Sequence, residues 1–210
     1  MEIVARGAEA VLKKDRLDGE TDLIKERIKK GYRIGQIDVP LRTERTVHES
    51  RLLGEARRAG VNTPKILAVD EKGCKITMEW IDGERLKELF NSEESVERKA
   101  ELAESIGQSV GKLHSAGIVH GDLTTSNIIL SNEKIFFIDF GLGFFSAKAE
   151  DHGTDIALLK EAIKATHFKL LSLLWDRFIK GYKQTNPHAE AVLKALNAIE
   201  RRGRYATRVD

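Results

Sequence analysis

The chain has 210 residues, with 35 Lys and Arg against 33 Asp and Glu, so its formal charge of +2 supplies no whole-molecule attraction to nucleic acid and any such attraction must come from local clusters. A hydrophobic content of 41% is enough for one or two compact units with a core, and excludes a disordered chain. The one cysteine, Cys74, lies in an apolar strand-like run and is read as a buried small hydrophobe; it leaves no disulfide framework and no cysteine metal site, which suits a reducing, cytoplasmic setting. Met1 to Arg6 lacks an apolar leader core, and no apolar run approaches the roughly 20 residues of a membrane span, so no membrane partner is expected.

In chain order, Ile3 to Ala5, Ala10 to Leu12 and, after the turn from Leu17 to Glu20, Asp22 to Lys25 read as strands of an antiparallel start. Arg42 to Ala59 reads as a helix with Val47, Leu52, Leu53 and Ala56 on one face and Gly60 as the stop. Lys65 to Val69 and Cys74 to Trp80 are strands flanking the turn Asp70 to Gly73. Beyond Asp82-Gly83 the pattern turns helical, over about Glu84 to Phe90 and Ser95 to Ala116, with Gly117 as the end. A hairpin follows, Ile128 to Leu130 and Ile135 to Ile138 around Ser131 to Lys134, and then helices over Asp155 to Ile179 and Ala189 to Arg201. The expected class is α+β: a β-rich unit with one helix over residues 1–81 and a helical unit over residues 82–210.

Two short runs carry the chemistry. His120-Gly121-Asp122-Leu123-Thr124-Thr125-Ser126-Asn127 precedes the hairpin, and Asp139-Phe140-Gly141 follows it, so both ends of the hairpin deliver acidic or amide groups to one place. The order resembles that of protein kinases, in which a catalytic-loop Asp orients the acceptor while an Asn five residues on and the Asp of Asp-Phe-Gly hold Mg²⁺. Those roles fall to Asp122, Asn127 and Asp139. A β-rich lobe hinged to a helical lobe is the kinase architecture, and its other parts have counterparts. Lys25 on the third strand would contact the α- and β-phosphates of ATP, with Glu49 on the next helix as its ion-pair partner. Met78, Glu79 and Ile81 fall at the hinge, where backbone groups meet the adenine edge. Asp155 either caps its helix or braces the catalytic loop from behind.

The chain also departs from the common kinase pattern. Gly7-Ala8-Glu9-Ala10 stands in place of a glycine-rich phosphate cover, which reduces the backbone N–H donors, and Glu9 would repel phosphate unless it turned away or met a cation. About thirteen residues separate Gly141 from Asp155, with no Ala-Pro-Glu, leaving little room for a peptide-docking segment. Gly121 replaces the Arg that pairs with an activation-loop phosphate in many kinases.

These details resemble one family, the small atypical Ser/Thr kinase/ATPase subunits of the KEOPS complex (PRPK-type), which are related to the RIO kinases. The likeness covers nearly the whole chain. It rests on Gly7 to Ala10, Ile24 to Arg27, Lys30 to Arg33, Arg45-Thr46, Glu49 to Leu53, Arg57 to Val61, the His120 to Asn127 run and Ile138 to Gly143. The resemblance implies Mg-ATP binding, autophosphorylation on Ser/Thr, and ATP hydrolysis that supports threonylcarbamoyl transfer to adenosine 37 of tRNA. It implies as partners the threonylcarbamoyl transferase subunit, other small KEOPS subunits and tRNA. With Met1 directly before the first strand, the chain looks like the standalone form. The basic end, Arg201 to Asp210, is expected to reach tRNA or the transferase cleft. On the residues alone the acceptor stays open. His-Gly-Asp also occurs in aminoglycoside and choline kinases, a RIO kinase is a nearer alternative, and a nucleotide-sensing scaffold without turnover is a third.

Overall fold

The structure, a computed structural model, describes residues 1–17, 20–31 and 33–206. The turn at Asp18-Gly19, Tyr32 of the Lys30 to Arg33 run, and the last four residues of the basic end lie outside the described residues.

Strands β1 (Glu2–Arg6), β2 (Ala10–Leu17) and β3 (Glu20–Arg27), helix α1 (Gly35–Arg58), and strands β4 (Ile66–Asp70) and β5 (Lys75–Glu79) build an antiparallel sheet of order β1-β2-β3-β5-β4. Lys25 pairs with Leu12 on one side and Ile76 on the other, at the centre of the sheet. Because side chains alternate along a strand, Leu23, Lys25 and Arg27 share one face. Cys74 is fully buried, but it sits in the turn before β5 with φ 53 rather than within a strand.

Helix α1 begins at Gly35, well before the expected Arg42, and carries Pro40 within it. Proline removes one N–H and normally reads as a stop, yet the preceding turn is held by Asp38, which is fully buried and accepts 2.7 Å from Arg42 Nε one turn on. The buried stripe also differs from the expected one. Val47 is exposed, whereas Thr46, Glu49, Leu52, Leu53 and Ala56 face inward at helical spacing. The charged Glu49 therefore occupies a core position. The helix closes on Gly60 with φ +79, where Gly60 N donates to Arg57 O and Val61 N to Ala56 O.

The second half contains β6 (Glu84–Arg85), α2 (Leu86–Asn91), α3 (Val96–Ser115), β7 (Ile118–Val119), β8 (Ile128–Ser131), β9 (Lys134–Phe137), β10 (Phe144–Phe145), α4 (Ala149–Thr166), α5 (Leu171–Thr185) and α6 (Ala189–Ala206). A three-stranded sheet β6-β8-β9 carries the catalytic hairpin, whose turn places Asn132 and Glu133 at positive φ. The single helix expected from Asp155 to Ile179 is two helices. The break falls at His167, whose ring meets Asn91 Oδ1 at 2.9 Å and Thr125 Oγ1 at 3.2 Å, so tertiary hydrogen bonds end α4 where no Gly or Pro marks the sequence.

Helices α3 and α5 form the most extensive helix pair. Glycines let their backbones touch: a Cβ on Gly107 would stand 2.0 Å from Phe178 O, and one on Gly181 2.0 Å from Glu104 O. In α1, by contrast, a Cβ on Gly54 would meet nothing within 4 Å. Alanine gains about 1 kcal/mol of helix propensity over glycine, but overpacking against backbone costs about 1–3 kcal/mol or more. Gly107→Ala is accordingly expected to lower the urea midpoint, whereas Gly54→Ala should raise it by about 0.5–1 kcal/mol of stability. Equal effects of the two substitutions would refute the close approach.

Candidate active site

At the centre of β3, Lys25 Nζ donates to Glu49 Oε1 at 2.6 Å and to Asp139 Oδ1 at 2.7 Å. Glu49 is 1% exposed, and its second oxygen accepts from Arg27 Nη2 at 2.7 Å. Burial works against a charged Lys25, but the carboxylates of Glu49 and Asp139 outweigh it and raise its pKa above the ordinary lysine value. Burial likewise pushes the Asp139 carboxyl up, and Lys25 together with the Gly141 N–H holds it below its usual range. Asp139 has φ +61, a conformation that costs a non-glycine residue of order 1 kcal/mol and turns its carboxylate back towards β3.

The loop bearing Asp122 is fixed from behind. Asp155 lies within α4, not at its start, and accepts from His120 N and Gly121 N at 2.9 Å each. It braces the loop, and the capping alternative falls away because Lys148 occupies the cap position. His114 supports Asp155 at 3.2 Å and meets Tyr182 Oη at 2.9 Å through its other nitrogen. Burial raises the Asp155 carboxyl, and the contacts with His114 and His120 more than offset this. His120 is fully buried, with Nε2 3.1 Å from Ile138 O and Nδ1 3.3 Å from Asp122 N, an arrangement that suits a neutral ring donating from Nε2 and accepting at Nδ1. Asn127 donates through Nδ2 to Asp122 O and Oδ2, at 2.9 and 2.8 Å, which leaves its carbonyl oxygen for a cation.

One cleft collects these groups. Its inner end has Leu12 and Leu23 on one side and Ile129 and Ile138 on the other, with Met78, Glu79 and Ile81 along its wall. Its outer end runs along Gly7, Ala8, Glu9 and Ala10 to Asp122, Asp139 and Gly141. All the residues singled out in the sequence for nucleotide, metal or proton handling border this cleft or, like Glu49, form its wall. Glu9 meets cations: its Oε2 accepts from Arg45 Nη1 and lies 3.5 Å from Arg27 Nη1. The Arg45 hydrogen bond chiefly lowers its pKa.

Sequence reasoning gave no role to Arg27, His114 or Arg45. Arg27 was within reach, because two-residue alternation along β3 puts it beside Lys25. His114 and Arg45 carried no such signal.

The chain is similar to several known proteins. A family model for the RIO domain matches residues 25–160. The chain is 46% identical over 188 residues to a KEOPS complex subunit Bud32 of Pyrococcus abyssi, across 89% of this chain and 85% of that protein. It is 42% identical over 203 residues to a probable bifunctional tRNA threonylcarbamoyladenosine biosynthesis protein of Methanococcus vannielii, covering 97% of this chain but 36% of that protein, so it spans about a third of such relatives. Among solved structures, the Rio2 kinase of Chaetomium thermophilum, in an ADP/Mg²⁺-phosphoaspartate complex, matches with a TM-score of 0.63 over 98% of this chain and 72% of that one; at 16% identity this likeness shows the fold.

The buried histidines set an acid limit. Burial pushes His120, His152 and His167 below 6.5, so each is neutral in the fold while the unfolded chain takes up a proton near 6.5. Below that pH the unfolded state binds more protons, so this stability is complete above about 6.5 and is lost as pH falls through it. The melting temperature should drop between about pH 7.5 and 5, before the carboxylates titrate; a flat profile would show these rings to be exposed or already charged.

Proposed function

We propose that this chain, which belongs to the RIO-domain family and within it to the atypical kinase subunits of the KEOPS complex, binds Mg-ATP in the cleft and acts as an atypical Ser/Thr kinase and ATPase. The observation that carries the reading is the ion-pair set Lys25–Glu49 and Lys25–Asp139 at the join of an inner pocket lined by Leu12, Leu23, Ile129 and Ile138 and an outer one that also presents Asp122. In this reading residues 1–81 form the nucleotide lobe and residues 82–210 the catalytic lobe. Glu79 N and Trp80 N already donate to Lys65 O and Thr21 O, so the adenine edge would meet the Glu79 carbonyl and the Ile81 N–H.

Lys25 would leave Asp139 for the phosphates while Glu49 keeps it aimed. Asp139 and Asn127 would hold Mg²⁺, which neutralises charge on the transferring phosphoryl group when bound. Among the described residues no group of three or more His, Cys, Asp or Glu could cage a metal ion, which fits a Mg²⁺ carried largely by phosphate oxygens. Asp122, oriented by Asn127 and by the His120 ring, would take the acceptor's proton or position water.

The segment after Gly141 favours water or a protein-bound acceptor over a free peptide. It is tied down by Gly143 N to Phe140 O, by Ser146 N to Gly117 O and by the pairing of β10 with β7, which leaves no ledge for peptide docking. The names of the relatives support the wider role: ATP use that sustains threonylcarbamoyladenosine formation on tRNA through a transferase partner within KEOPS. No helix among the described residues is long and apolar enough to cross a membrane.

Mg-ATP turnover measured with the chain alone, with the transferase subunit, and with that subunit plus tRNA tests the reading, and consumption should rise with each addition. Asp122→Asn should bind Mg-ATP almost normally yet turn over at least about a hundredfold more slowly. Asp139→Ala should weaken Mg-dependent binding itself. Undiminished turnover in both variants would place the activity elsewhere.

A further inference from the structure

At the phosphate end of the cleft one backbone donor is spent and a carboxylate stands among the cations. Gly7 N, which a glycine-rich cover would offer to phosphate, is spent 2.9 Å from Ala10 O, and Lys30 Nζ pins the Ala8 carbonyl. Two guanidinium groups converge on the loop from the protein side. Arg45 Nη1 bonds Glu9 Oε2, and Arg27 Nη1 stands 3.5 Å from that same oxygen. Arg27 is 5% exposed, its Nε has no partner, and it lines the cavity that Glu9, Lys25, Asp122 and Asp139 also line.

We propose that Arg27 and Arg45 are ligands for the terminal phosphate of a nucleoside triphosphate, and that Glu9 occupies their guanidinium site as a carboxylate stand-in which the triphosphate displaces. The proposal rests on the Mg-ATP reading of the cleft and adds to it the residues that distinguish triphosphate from diphosphate. Guanidinium forks donate to carboxylate and phosphate oxygens in the same geometry, so one anion can replace the other there. Glu9 is able to leave: its side chain is 42% exposed, whereas Glu49, the other carboxylate on Arg27, is 1% exposed and fixed between Lys25 and Arg27. Exchange also removes a repulsion, since a terminal phosphate beside an undisplaced Glu9 would face like charge. The arginines thus supply the contacts that the shortened glycine pattern withholds.

Binding of ADP and of a non-hydrolysable β,γ-imido ATP analogue, each with Mg²⁺, to the full chain tests this by calorimetry. Glu9→Gln should tighten the triphosphate analogue about three- to tenfold and leave ADP within about twofold. Arg45→Gln should weaken the analogue about tenfold with ADP little changed. In the double variant the gain from Glu9→Gln should shrink, because one of the two arginines whose release produced it is gone. Arg27→Lys should likewise erode the preference for triphosphate; should that buried substitution not fold, the half-buried pair Glu9 and Arg45 still decides. An unchanged triphosphate-to-diphosphate ratio in Glu9→Gln, or equal losses for both nucleotides in Arg45→Gln, would overturn the proposal while leaving the nucleotide site intact. Failure of the native chain to bind either nucleotide would overturn the Mg-ATP reading as well.

Discussion

A buried carboxylate shared by two cations holds the active cleft together. Glu49 has almost no contact with water, and a lone carboxylate there would cost several kcal/mol in lost hydration. It is tolerable because Oε1 faces Lys25 and Oε2 faces Arg27, two residues that the alternation of β3 puts on one face. That arrangement docks α1 onto the sheet at a fixed height and rotation, since a helix slipped by one residue would take the buried Glu49 carboxylate away from both cations. Lys25 extends the bond to Asp139, which belongs to the other half of the molecule. The position of α1 is therefore registered against Asp139.

The parts of the site that are local in sequence were legible, and the parts assembled by tertiary packing were mostly not. His120 to Asn127 and Asp139 to Gly141 each hold several candidate groups within a few residues, and the structure brings both runs to one cleft. Lys25 and Glu49 needed the resemblance to kinases, because neither stands out in a chain rich in both residue types. Helix α1 extends ahead of the expected Arg42 because Asp38 and Arg42 carry it across Pro40, a residue that normally reads as a stop. The break at His167 was invisible for the opposite reason: nothing in the chain punctuates it, and two hydrogen bonds from distant residues impose it. Val47 was assigned to the core by hydrophobicity, but the buried stripe is set by the ion-pair network, which prefers Glu49. Gly107 and Gly181 offered no sign of their partner, because the close approach of α3 and α5 lies in pairing that the sequence does not record.

Two departures from the kinase pattern prove to be one structural fact. Gly121, in place of an arginine, has φ +80, and a Cβ there would stand 2.1 Å from Leu142 O. The chain just after Asp139-Phe140-Gly141 packs directly on the catalytic loop, where a side chain at position 121 would have to be. A short segment after Gly141 and the absence of a side chain at 121 thus require each other. Phe140, fully buried with its ring 4.5 Å from that of His120, clamps the same junction from inside.

This packing bears on how acceptor choice arises. A long segment can present its own docking surface and can be ordered or released by a phosphate paired to an arginine. Here the segment returns at once to β7 through β10, His48 Nε2 meets Gly143 O at 3.1 Å from the far side, and the arginine position is filled by backbone. A switch of that kind has neither its phosphate receptor nor its moving part. On the proposed reading, selectivity for what receives the phosphoryl group would come from outside the segment. An assembled cleft beside a segment that offers no ledge suits a subunit, and on the proposed reading the assembly rather than the segment would decide when nucleotide is spent.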